Sequence, residues 1–150
     1  MEGRRNCHLL VHAVAAGCLA VVLFLAPIAQ AEPKAEKSFT AVVTDVQGID
    51  TEIRLLIFYW EEKISETAFV PHELRYLPVK RGSTTNNISF DRIKHVETKP
   101  AGSEGVTVVV TLVNGKTGEC VMAIPGSYRG ESDFGQADVQ VESVAKMAIK

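Results

Sequence analysis

One nine-residue pattern occurs twice in this chain, and it limits the folds open to it more than any other feature. Thr40-Ala41-Val42-Val43-Thr44-Asp45-Val46-Gln47-Gly48 is matched by Thr107-Val108-Val109-Val110-Thr111-Leu112-Val113-Asn114-Gly115, with six of nine positions identical. Both copies are rich in Val and Thr, whose branched side chains fit a pleated strand. Both close on a polar residue and a glycine, which suits a turn. Each copy is followed by an apolar strand-like run and later by an Arg-Gly pair, Arg81-Gly82 and Arg129-Gly130. Each ends on one apolar spacing: Ile88, Phe90, Ile93 and Val96 correspond to Val139, Val141, Val144 and Met147.

The pattern predicts an all-β domain, a small antiparallel sandwich or barrel built from two β-rich pseudo-repeats, residues 39–97 and 106–149. Matched spacings place matched side chains on one face. Val42, Ile88, Phe90 and Ile93 are therefore expected to share core sites with Val109, Val139, Val141 and Val144. The final spacing reads as a strand entering one helical turn, and a short helix is expected at 143–149. Gly48 to Arg81 spans 33 residues and Gly115 to Arg129 spans 14. On that alignment the first copy holds an insertion of about 19 residues, Glu61 to Val79.

Other strand signals are local. Phe39 to Val46 and Glu52 to Trp60 read as strands, the second apolar on both parities and so covered on both sides. Glu61 to Thr67 is charged and reads as a turn, and Gly82 to Asn87 as a polar loop. Pro71 and Pro78 point to edge strands. Asn114-Gly115 between strand formers is a hairpin signal, with both turn residues expected at φ > 0. The hairpin followed by a strand and turn resembles small Sm-like or SH3-like barrels; that likeness implies a barrel and carries no function.

The N-terminus indicates export. Arg4 and Arg5 precede an apolar run of 21 residues, Leu9 to Ala29, which ends in Ala29-Gln30-Ala31 before polar sequence begins at Glu32. A basic start, an apolar centre and an A-x-A end describe a cleavable signal peptide over 1–31. Residues 32–38 follow as a flexible leader, and 39–150 as a single β domain. The expected location is periplasmic or extracellular. The run is also long enough to span a bilayer, so a signal-anchored envelope protein is the alternative. In that case the membrane is met only through the N-terminal segment. Cys18 has little of a lipoprotein cleavage context around it.

Removing 1–31 leaves 14 basic and 17 acidic side chains, a formal charge of about −3. That balance disfavours nucleic acid, which calls for a concentrated basic face. Only Cys120 remains of three cysteines, so the domain has no internal disulfide to rely on. It sits in an apolar run and reads as a small buried hydrophobe. His72 and His95 lack neighbouring ligands at zinc spacing. Gly130 to Gly135 offers too few oxygens for calcium and reads as a turn. No nucleophile–base motif or phosphate loop is present. Neither catalytic residues nor a cofactor or metal is assigned, and an enzyme is not expected.

Surface recognition is what remains. Tyr59, Trp60, Phe69 and Tyr76 concentrate around the insertion, with Lys80 and Arg81 beside them. Aromatic side chains next to cations suit a contact with an envelope or secreted protein partner. The expected function is thus a non-catalytic interaction or binding module. The alternative is a small-ligand-binding or enzymatic domain using residues 61–79 as a lid.

Overall fold

The computed structural model describes residues 36–100, 102–103 and 105–150. The expected signal peptide lies outside the described residues. Eleven strands run in chain order: β1 (Thr40–Asp45), β2 (Asp50–Lys63), β3 (Phe69–Leu74), β4 (Tyr76–Arg81), β5 (Thr84–Ser89), β6 (Ile93–Thr98), β7 (Thr107–Leu112), β8 (Thr117–Met122), β9 (Ser127–Ser132), β10 (Gly135–Gln140) and β11 (Val144–Ile149). Two 3-10 turns, Phe90–Arg92 and Val141–Ser143, precede β6 and β11. The fold is all-β, and the strands form one antiparallel sheet. Among the described residues no helix is long and apolar enough to cross a membrane.

Ten strands follow the order β10-β9-β2-β1-β11-β6-β7-β8-β4-β5, with β3 paired to β2 off this path. The order reads the same from both ends once β1, β2, β4, β5 and β6 are exchanged with β7, β8, β9, β10 and β11. The first strand of each half pairs with the last strand of the other, and β6 pairs with β11 at the centre. Isolated backbone bonds obey the same exchange. Leu56 N–H donates to Phe39 O at 2.9 Å, as Met122 N–H does to Val106 O at 2.8 Å. Val113 N–H donates to Arg92 O at 2.9 Å, as Val46 N–H does to Ser143 O at 3.0 Å.

The core side of each strand follows from pleat alternation. Ala41 and Val43 in β1 and Val108 and Val110 in β7 are buried, whereas Val42 and Val109 are half-buried on the other face. The expected parity of these strands is therefore reversed. Both faces of the motif are apolar, so composition alone did not choose between them. At the C-terminal ends, Phe90, Ile93 and Val96 correspond to Val141, Val144 and Met147, all buried. Ile88 and Val139 pack at the edge of this core.

Several local expectations are corrected. No helix forms at 143–149: β11 is a strand, and the three-residue spacing arises where the β1–β11 register shifts. A bulge lets residues three apart face one side of a strand. Thr84–Ser89 is a strand rather than a loop; at the sheet's end it has no second neighbour, so it needs little apolar alternation. Glu61 to Lys63 continue β2, held by β3. Pro71 does lie in a strand bonded only to β2, but Pro78 lies in β4, between β5 and β8. Gly115 has φ +85° while Asn114 does not enter positive φ. Gly115 N–H donates to Leu112 O and Leu112 N–H to Lys116 O. This is a tight turn closed by a left-handed glycine, not a turn with two positive φ values. The Arg-Gly pairs do not correspond either. Arg81 ends β4, whereas Arg129 lies inside β9, opposite the position of Pro78 in the exchange. The extra length of the first half lies before Tyr76: Gly48 to Tyr76 is 28 residues against 12 from Gly115 to Ser127. It comprises the outer part of β2 together with β3. One of the extra residues, Leu55, bulges from β2 at φ 53° where the β2–β9 register shifts. At the described end of the leader, Arg75 bonds the Glu36 carboxylate and the Lys37 carbonyl.

Candidate functional site

The seam between β9 and β2 and its counterpart between β4 and β8 are built on one register but differ in side-chain size. Pairing of β2 with β9 includes Arg54–Glu131, Ile57–Arg129, Phe58–Tyr128 and Tyr59–Ser127. Pairing of β4 with β8 is limited to Val79–Met122 and Lys80–Val121. Gly130 holds the position in β9 that Val79 holds in β4. A Cβ at Gly130 would overlap the Arg54 carbonyl oxygen and lie 2.6 Å from Ile53 Cγ2. Only glycine lets β9 settle there against β2. Opposite it, Ile53 holds the position that Cys120 holds in β8. One seam thus joins glycine to a large side chain. The other joins valine to a small one.

At the second seam a cleft of about 500 Å3 opens between the β4–β5 and β7–β8 hairpins. Its apolar wall comes from Val79, Ile88, Val110, Leu112 and Cys120, and its polar lining from Arg81, Asn86, Asn87, Arg92, Lys116 and Thr117. The size falls within the range of small-molecule sites, about 300–1,000 Å3. No carboxylate lines it. Among the described residues Arg81, Arg92 and Lys116 make no ion pair. All three are exposed, while Val79, Val110 and Cys120 are buried, so charge sits at the mouth and apolar surface below. Burial pushes the Cys120 thiol pKa up, and the nearby Arg81 guanidinium pulls it partly back.

None of the three cations has a cationic counterpart in the other half. Ser132, Ser143 and Ile49 stand where Arg81, Arg92 and Lys116 stand, and Asp138 and Asp50 stand where Asn87 and Thr117 stand.

The residues expected to contact a partner do not form one patch. Arg81 lines the cleft. Lys80, its neighbour in β4, is exposed and absent from the lining. Tyr59 lies under the Arg129 guanidinium, 3.2 Å from its ring centroid, and donates to Glu61 Oε1 at 2.6 Å. Trp60 stacks on His72 with centroids 4.5 Å apart, and His72 Nε2 lies 3.0 Å from Glu62 Oε2. Tyr59 and Trp60 border a smaller hollow of about 240 Å3 with Pro125 and Gln140. Phe69 is exposed at the far end of the β2–β3 hairpin, and Tyr76 is half-buried where β4 begins.

The β2–β3 hairpin is guarded against strand addition. Ile64 N–H donates to Ala68 O, so pairing alternation puts Pro71, opposite Glu61, where its nitrogen points to the free edge. Proline offers no donor there.

Arg92, Lys116, Asn86 and Asn87 were not singled out by sequence reasoning. The signal that finds them is the charge difference between matched positions. It is visible only after Arg81 is aligned with Ser132 rather than with Arg129. Among the described residues no three His, Cys, Asp or Glu side chains gather as a metal site.

Fold and cleft together define an all-β domain of two topologically matched halves with a hollow at one seam rimmed by three cations. A family whose description is "Uncharacterised protein" matches residues 60–150, and the chain belongs to it. No curated protein and no solved structure matches the chain.

Proposed function

We propose that the mature chain is an exported, non-catalytic binding domain that takes a small ligand into the cleft between the β4–β5 and β7–β8 hairpins. The observation that carries this reading is the inequality of the two seams. Matched strands touch at Gly130 and Ile53, where the neighbouring hollow of about 490 Å3 is lined by Glu73, Glu131 and the paired Arg129. At Val79 and Cys120 they leave a hollow of about 500 Å3 with an apolar floor and three cations in no ion pair among the described residues. Export rests on the basic, apolar and Ala-x-Ala succession of residues 1–31, and places binding in the periplasm or outside the cell. A signal-anchored envelope protein would present the same cleft. Of the stretch 61–79, only Val79 reaches the cleft wall, so a lid is not part of this reading.

The sandwich architecture belongs to the same proposal. Ten strands side by side would form a sheet about 45 Å wide at the usual strand spacing. The buried apolar residues of both halves nevertheless form one cluster, with no helix among the described residues to cover it. A sheet folded over on itself accounts for both facts.

The test is binding of anilinonaphthalene sulfonate, a fluorescent probe for apolar hollows, to the folded domain and to Cys120→Ile. The variant installs the side chain found at the matched position, Ile53. Saturable one-to-one binding that the variant abolishes, with its melting transition retained, supports the cleft. Equal binding by the folded variant overturns it.

A second reading attaches to the β2–β3 hairpin, which has no counterpart in the other half. Ile64, Phe69 and Val70 are 60%, 53% and 41% exposed at its outer end. Exposed apolar side chains on one projecting element suit contact with an envelope or secreted protein.

A further inference from the structure

We infer that the cleft takes an amphipathic oxyanion: a carboxylate or phosphate head held at the mouth by Arg81, Arg92 and Lys116, with a short apolar chain lying along Ile88 and Leu112 towards Cys120. This rests on the cleft being the ligand site, as proposed above, and adds the chemistry of the ligand.

Three observations carry it. The first is the sign of the charge. Three cations line one hollow of about 500 Å3 that has no acid in its lining, and none of them is engaged in an ion pair among the described residues. Guanidinium groups present planar forks of donors that match carboxylate and phosphate oxygens. The amide groups of Asn86 and Asn87 and the Thr117 hydroxyl add neutral donors beside them.

The second is the gradient from mouth to floor. The cations are exposed, Ile88 and Leu112 are half-buried, and Cys120 is 8% exposed. A fully polar anion would leave that apolar wall against water, and a fully apolar ligand would make no use of the three cations at the mouth. A head-and-chain molecule satisfies both parts.

The third is the matched half. There Ser132, Ser143 and Ile49 replace the cations, and the hollow of about 490 Å3 that borders Gly130 is lined by Glu73 and Glu131, with its one cation, Arg129, paired to Asp138. A hollow that gathers cations free of ion pairs, with no acid in its lining, therefore occurs in one half, while the hollow of the other half is lined by acids and a paired arginine. A solvated surface with scattered lysines and arginines has no reason to follow that division.

Isothermal titration calorimetry of the full exported domain tests the inference with four probes kept below their micelle concentrations: octyl phosphate, octanoate, inorganic phosphate and octanol. Octyl phosphate and octanoate should bind one per domain, more weakly as salt rises. Phosphate and octanol should each bind at least about tenfold more weakly, since each lacks one half of the recognition. Comparable binding of octyl phosphate and octanoate marks a general oxyanion head, whereas a large preference identifies the phosphate or carboxylate source. The double variant R81E/K116E should lose at least about tenfold in affinity for octyl phosphate while its melting temperature stays close to that of the parent. Octanol binding as tightly as octyl phosphate, with Cys120→Ile abolishing both, would overturn the anionic head but leave the cleft as a ligand site. Inorganic phosphate binding as tightly as octyl phosphate would overturn the apolar chain. Failure of all four probes to bind would remove this inference, whereas retained, Cys120→Ile-sensitive sulfonate binding would leave the cleft standing.

Discussion

Gly130 and Val79 hold matched positions in the two halves, yet only Gly130 lies where a side chain would run into the neighbouring strand. A Cβ on it would overlap the Arg54 carbonyl and press on Ile53 Cγ2 at 2.6 Å. Backbone cannot yield as the end of a flexible side chain can. Gly130→Val should therefore destabilise the domain by about 3 kcal/mol or more, with backbone shifts along the β2–β9 seam. Denaturant melts decide this, and a midpoint equal to the parent's would show that the seam has slack.

Gly115 is the left-handed residue of the β7–β8 turn, at φ +85°. Gly115→Val should cost roughly 1–2 kcal/mol, because a branched side chain resists that conformation. Asn114 stays outside positive φ and contributes an Oδ1 that accepts from Lys116 N–H at 3.0 Å. Asn114→Ala should cost less than about 1 kcal/mol. Comparing the two melts separates a turn that depends on its glycine from one that depends on both residues.

Tyr128 is fully buried against Phe58, with ring centroids 6.3 Å apart at 73°, and its hydroxyl has no partner among the described residues. Burial drives its phenol pKa well above the usual range. Tyr128→Phe keeps the ring and removes the orphaned hydroxyl. The variant should be as stable as the parent or more stable by about 1 kcal/mol. A loss above about 1 kcal/mol in the thermal or denaturant melt would show that the hydroxyl has a partner in solution.

Cys120 should react slowly with iodoacetamide at neutral pH. Its pKa is raised, so the reactive thiolate is scarcer than for an exposed cysteine and increases as pH rises. Alkylation followed by peptide mass spectrometry should therefore show a rate climbing through the alkaline range, and octyl phosphate should slow it. A neutral-pH rate like that of free cysteine would contradict the burial of this side chain.

Much of the fold was legible because its signals are local. Val and Thr runs closed by glycine marked β1 and β7, and the shared spacing of Phe90, Ile93 and Val96 with Val141, Val144 and Met147 was readable as a series. What failed depended on neighbours. Gly82 to Asn87 looked like a loop because an edge strand, here Thr84 to Ser89, can be polar. Residues 143–149 looked helical because a bulge imitates helical spacing. Val42 and Val43 are equally apolar, so the buried one is chosen by packing. Of the cleft's lining, Arg81 alone was expected at a contact surface, while Ile88 and Cys120 were read as core. The hollow depends on Val79 against Gly130 and Cys120 against Ile53, pairs that become comparable only when the strands are superposed.

The central claim is that the unequal seam between β4 and β8 is a ligand site. Backbone amide NMR with increasing octyl phosphate tests it most directly. The predicted result is saturable shifts at Asn86, Asn87, Arg92, Lys116, Thr117 and Gly118, while the matched positions Ala137, Asp138, Ser143, Ile49, Asp50 and Thr51 stay still. Shifts confined to the β2–β3 hairpin, or spread equally over both halves, would contradict it.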